Sequence, residues 1–97
     1  MTSKQRSKLI SLAMGISATV QIGKNGLTDS VIEQISTSLE DHELVKINVL
    51  KTADMSAKTL IADVAEATLS EPVQAIGNKI VLYRYSHKEG IEHIVLD

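Results

Sequence analysis

The stretch TVQIGKNGLT, residues 19–28, decides how the rest of the chain is read. Thr19 to Ile22 alternates polar and apolar side chains with a β-branched bias, the pattern of a short half-buried strand. It runs straight into Gly23-Lys24-Asn25-Gly26, after which Thr28 or Asp29 can cap a helix. There Val31, Ile32, Ile35 and Leu39 share one stripe of a 3.6-residue wheel, while Asp29, Glu33 and Glu40 lie on the opposite side. Strand, glycine loop and helix with an acidic back make one βα unit.

Downstream, Leu44 to Leu50 (LVKINVL) reads as a second strand with Lys46 and Asn48 on one face. Ser56 is a candidate cap for a helix whose stripe is Ala57, Leu60, Ile61, Val64 and Thr68, and Pro72 marks the exit. Val73 to Ile76 and Ile80 to Tyr85 are strands joined by Gly77-Asn78, a tight-hairpin signal. Upstream, Leu9, Leu12, Ala13 and Ile16 form a helical face, with Ser3 as N-cap and Gly15 as stop. Lys4, Lys8 and Ser11 occupy a different face of that helix. The order αβαβαββ predicts an α/β fold with a mixed four-stranded sheet covered by helices. Strand-helix-strand connections favour parallel neighbours, and the hairpin adds an antiparallel pair. Residues 1–97 are expected to form a single compact domain with its core at about 2–85. The segment 86–97 is either a surface tail or carries an extra strand, Ile91 to Leu96.

Composition narrows the function classes. Ninety-seven residues with 43% hydrophobic and 23% charged content suit one globular module, and no apolar run reaches the ~18 to 20 residues of a membrane helix. The basic amino terminus lacks a convincing apolar signal core and cleavage site, so a cytoplasmic protein with no membrane partner is expected. The absence of cysteine excludes disulfides, thiolate metal sites and thiol nucleophiles. The net charge of -2 conceals opposing blocks. Residues 1–27 carry Lys4, Arg6, Lys8 and Lys24 without an acid, whereas 28–43 carry Asp29, Glu33, Glu40, Asp41 and Glu43 without Lys or Arg.

The Gly23–Gly26 loop is the candidate site. Two glycines allow positive φ and close approach, and the free N–H groups and dipole of the following helix suit a phosphate. Lys24 adds a flexible charge and Asn25 an amide donor. A plain βα turn that needs glycine for geometry is the bland alternative. The spacings of a Walker loop and of a dinucleotide fingerprint are absent. His87, Glu89, Glu92 and His93 could ligate a metal but suit a solvated tail, and Glu40, Asp41 and Glu43 read as a solvated helix end. No enzyme constellation survives, and no cofactor or metal is implied.

If the first helix packs beside the first strand, Lys4 and Lys8 flank the loop, and Lys46, Lys51, Lys79 or Arg84 extend a basic stripe. Such a stripe joined to a glycine loop favours RNA over a small anion. With Tyr83 and Tyr85 as the sole aromatics, phosphate and shape contacts should outweigh base stacking. The acidic back of the second helix would repel RNA and so orient it. A protein-interaction module acting through an apolar patch or that helix is the rival class, and a small-anion or nucleotide-binding domain a third.

Three runs, Val20 to Thr28, His42 to Ile47 and Ile76 to Arg84, in this order and spacing resemble the CRM domain, specifically its stand-alone bacterial YhbY-type members. The resemblance spans about residues 2–85. It implies a fold related to the C-terminal domain of translation initiation factor 3, with a GxxG loop likened to that of KH domains. It also implies binding of structured RNA, for the bacterial members the precursors of the large ribosomal subunit; ribosomal proteins enter as partners through the rival reading, in which one of them recruits the domain. Carried over by position, the RNA-binding residues are Gly23, Lys24, Asn25 and Gly26 in the loop and Lys4, Arg6 and Lys8 in the opening helix; Lys79 and Arg84 join them from the basic stripe. The tail departs from the family pattern: Glu89, Glu92 and Asp97 make it acidic, and no RNA contact is carried over to it.

Overall fold

A computed structural model describes residues 1–96, so Asp97 of the acidic tail lies outside the described residues. The first helix, α1, runs Ser3–Met14. Its cap is Thr2 rather than Ser3. Thr2 Oγ1 accepts from the Gln5 N–H at 3.1 Å, and Gln5 Oε1 accepts from the Thr2 N–H at 3.0 Å, a reciprocal capping box. Gly15 ends the helix at φ -90°, so the stop does not use glycine's left-handed freedom. Of the expected apolar face, Leu9 and Ala13 are buried, whereas Leu12 and Ile16 remain largely exposed.

The strands are β1 (Val20–Ile22), β2 (Leu44–Val49), β3 (Glu71–Ile76) and β4 (Lys79–Tyr83); the remaining helices are α2 (Asp29–His42) and α3 (Ala57–Thr68). The expected order αβαβαββ is the observed one. The four strands form one mixed sheet in the order β1-β2-β4-β3. β1 pairs parallel with β2, and β4 pairs antiparallel with both β2 and β3. The Gly77-Asn78 hairpin forms with Gly77 at φ 57°, and the Asn78 carbonyl accepts from the Val49 N–H. Pro72 sits inside β3 rather than before it. This is tolerated because β3 is an edge strand and its register shifts between Pro72 and Gln74. β4 stops at Tyr83 instead of Tyr85, and among the described residues 84–96 form no strand.

Alternation in the strands sorts their side chains onto two faces. Val20, Ile22, Val45, Ile47, Val49, Ile80 and Leu82 point to one side, against Ile35 and Leu39 of α2 and Leu60 and Val64 of α3. Leu44, Val73 and Val81 point to the other, against Leu9 and Ala13, with Ile94 and Leu96 of the tail beside them. Each large side chain so buried contributes ~1.5 to 3 kcal/mol. Thr28 and Ser56 cap α2 and α3, each accepting from the N–H three residues on. The parallel βα connections therefore place both helix N-termini at the end of the sheet where β1 and β2 finish.

Candidate functional site

The loop after β1 is a tight turn. The Gly23 carbonyl accepts from the Gly26 N–H at 3.0 Å, which puts Lys24 and Asn25 at the exposed tip. A methyl group at Gly23 would come within 3.3 Å of Leu50 Cδ1 and 3.5 Å of Thr52 Oγ1, so glycine permits the loop to pack against the end of β2. Gly26 has φ +67° and open space around it, so there glycine serves the backbone. The N–H groups of Lys24, Asn25 and Leu27 have no acceptor among the described residues. First-turn N–H groups of α2 face the same end.

Two further segments share this rim. The Leu50 N–H donates to the Ile22 carbonyl at 2.8 Å, which brings Lys51 to Ser56 beside the loop. A cavity of about 180 Å³ between them is lined by Lys24, Asn25, Gly26, Asp54 and Met55. The Gly77-Asn78 turn lies across β2 from the loop, and Lys58 on the first turn of α3 borders it. Lys24, Lys51 and Lys58 are exposed and have no hydrogen-bond partner among the described residues. Lys79, at the start of β4, donates to Asn48 Oδ1 at 2.8 Å and keeps a third N–H free. Free cations and unpaired backbone donors share this rim with the exposed carboxylate of Asp54, an arrangement able to face more than one anionic group.

The structure does not bring the other expected basic residues to this rim. α1 packs across β2, β3 and β4 rather than beside β1. Its N-terminal half lies at the far end of the sheet, where Arg6 Nη1 donates to the carbonyls of Pro72 at 2.6 Å and Val73 at 3.0 Å. Lys8 Nζ donates to the Val95 carbonyl, while Lys4 stays exposed. Lys46 donates to the carbonyls of Ala13 and Ile16, where a cation complements the negative end of α1. Arg84 is a strut: its guanidinium donates to the Thr68 carbonyl, to Ser36 and to Glu40, and its side chain is only 19% exposed.

The acids of α2 are also largely spoken for. Glu40 pairs with Arg84, and Asp41 pairs with Lys88, whose hydrogen bond and charge hold the Asp41 carboxyl below its usual range. Glu43 is fully buried. Its carboxylate accepts from the Ser86 N–H at 2.8 Å, the Ile94 N–H at 2.8 Å and His93 Nδ1 at 2.9 Å. Burial pushes this carboxyl up, but the three donors outweigh it and leave it below the ordinary value. The expected solvated helix end is thus a buried anchor for the tail. With His93 directed at Glu43, the tail's metal-capable residues do not converge, and no group of three such residues stands together among the described residues.

Sequence reasoning missed Lys58. Its signal was available: two parallel βα connections start at one end of a sheet, so residues just after the cap Ser56 belong with Lys24.

Residues 1–84 match the CRS1 / YhbY (CRM) domain family. The chain is 37% identical over 86 residues to the Probable RNA-binding protein YqeI of Bacillus subtilis, covering 89% of this chain and 90% of that protein. It is 38% identical over 93 residues to a protein of Haemophilus influenzae named RNA-binding protein, covering 95% of this chain and 93% of its relative. The solution structure of the protein SAV1595 from Staphylococcus aureus superposes with a TM-score of 0.82 at 42% identity, over 100% of this chain and 99% of that one.

Proposed function

The chain belongs to the CRS1/YhbY (CRM) domain family, and from that membership we propose that it is a non-catalytic RNA-binding protein. In this reading it engages ribosomal RNA of large-subunit precursors and assists their assembly. The observation that carries the reading is the rim, where the turn Gly23, Lys24, Asn25, Gly26 leaves backbone donors unpaired beside Lys51, Lys58 and Lys79. RNA backbone oxygens lie against this edge. Lys4, exposed at the far end, extends the contact only for an RNA long enough to pass along α1. Arg6 and Arg84 have their charged heads committed within the molecule, and Lys8 lies beside the Val95 carbonyl at the same far end as Lys4. A protein partner recognised through α2 is less favoured, because Arg84 and Lys88 already neutralise two of that helix's acids.

Lys24, Lys51 and Lys58 neutralising three phosphates give a log-log salt slope of about -2 to -3, so affinity should fall roughly twenty- to fortyfold between ~50 and 200 mM salt. A slope shallower than -1 overturns the mechanism. The RNA itself is identified by crosslinking in cells and sequencing what is bound. Enrichment of unprocessed large-subunit RNA that disappears in Lys24→Glu supports the assembly role, and enrichment of other transcripts in its place refutes it.

A further inference from the structure

The rim continues onto a face of the sheet that α1 leaves open. In register across the strands stand Gln21, Asn48, Lys79 and Ile76, all on the side opposite α2 and α3. Asn48 Oδ1 lies 2.8 Å from Lys79 Nζ and 2.8 Å from Asn78 Nδ2, and Lys79 Nζ is 3.2 Å from Asn78 Oδ1. An ammonium can only donate, so the amide atoms facing it are oxygens. One cation thereby fixes the orientation of two amides. It leaves the two N–H groups of Asn48 Nδ2 and the third N–H of Lys79 directed away from the network, without acceptors among the described residues. The row therefore offers donors.

Lys79 also stands at the edge of a cavity of about 190 Å³ between the C-terminal half of α1 and the sheet, lined by Ile10, Met14, Gln74, Ile76 and Val81. Two of its walls are solvent-facing apolar side chains, Met14 at 78% exposure and Ile76 at 61%. A chain with two tyrosines cannot offer an aromatic platform here, but a thioether and a branched aliphatic chain can flank a flat ring.

We infer that this open face is a nucleobase site that takes one unpaired guanine of the bound RNA. The O6 and N7 edge of guanine presents two acceptors to the Asn48 and Lys79 donors. Adenine offers N7 but sets its own N6 donor against them. The site adjoins the rim, so a strand whose phosphates follow Lys24 and Lys51 can turn a looped-out base toward β2 and β4. The inference rests on the RNA-binding reading above and adds base selection to it.

The test starts with a pool of RNA hairpins carrying randomised loops, from which the wild-type protein enriches binders. The enriched loops should share one guanine. In a defined hairpin, replacing that guanine by adenine should weaken binding about tenfold, within the range of a well-placed two-acceptor base contact. Inosine, which keeps O6 and N7, should bind like guanine, whereas 7-deazaguanine should bind like adenine. Asn48→Asp keeps the acceptor that Lys79 and Asn78 use but removes the two free donors; its added charge weakens all hairpins alike, while the guanine-to-adenine ratio falls to near one. Met14→Ser, at an exposed position that does not burden folding, should weaken the guanine hairpin about threefold. The inference is overturned if binders share no guanine, if inosine behaves like adenine, or if the base ratio survives in Asn48→Asp. Failure of the wild-type protein to retain any of the pool overturns the RNA-binding reading itself.

Discussion

The two ends of the sheet treat their polar groups in opposite ways. At the end where β1 and β2 finish, backbone N–H groups of the Gly23–Gly26 turn and the ammonium groups of Lys24, Lys51 and Lys58 are left without partners. At the other end the buried and half-buried charged heads are engaged, while Lys4 stays free among the described residues. Arg6 holds the β3 carbonyls, Arg84 ties α2 to the end of α3, and Glu43 gathers three donors from the tail. Groups that satisfy one another stabilise the fold, and groups left without partners are free to meet a ligand. The contrast shows that the number of charges in a segment says little about where a binding surface lies.

The largest expected effect belongs to the engaged end. Glu43→Gln keeps the shape of the side chain but presents an amide to donors that expect a carboxylate. Hydrogen bonds to a charged group are worth ~1.5 to 3 kcal/mol, so a loss of about 3 kcal/mol is expected in denaturant unfolding. RNA affinity of the folded fraction should be unchanged; a parallel loss would show that the two ends are coupled. The carboxyl's depressed value carries a pH consequence of known sign. Its stabilisation is complete above about 4.5, the ordinary value, and is lost as pH falls through the lower native one. Acid titration of the wild type should therefore release the tail below the usual carboxylate range, and Glu43→Gln should flatten that part of the curve.

Arg84→Met comes next, at about 1 to 2 kcal/mol, because it strips donors from the Thr68 and Ser36 carbonyls while its aliphatic stem is kept. Affinity for RNA should not move. A selective loss of affinity with an intact fold would extend the interface to that end. The smallest effects contrast two exposed lysines. Lys24→Glu should lower RNA affinity about tenfold with no change in thermal midpoint, whereas Lys4→Glu should lower it less than twofold for a short hairpin. Equal effects would abolish the distinction between the ends.

Much of this architecture was legible in local pattern. The periodicities of Val31 to Leu39 and Ala57 to Thr68, the turn pair Gly77-Asn78 and the glycine loop each report on a few neighbouring residues. The engaged end was not legible, because its partners are far apart in the chain. Glu43 meets donors 43 to 51 residues away, and in a run of acids at a helix end nothing marks one as buried. Glu43 adopts φ 65° where a helix usually ends on glycine or asparagine, and the sequence supplies neither between α2 and β2. At Glu43 the three hydrogen bonds to the carboxylate hold the residue there, whereas Leu69, left-handed at φ 52°, keeps an exposed side chain. For Arg84, strand alternation gave a face but not the carbonyls waiting there. For Lys4 and Lys8, helical periodicity grouped them correctly, but which strands α1 crosses depends on tertiary packing.

The last strand in the chain is a central one in the sheet. β2 and β3 lie on either side of β4 and find no partner in each other, so a growing polypeptide that ends before Lys79 has half its sheet missing. Apolar faces of α2, α3, β1 and β2 can gather early, but the antiparallel pairings that lock β3 into place wait for residues 79–83. The sheet therefore closes through β4, whose pairing with β2 on one side and β3 on the other joins its two halves.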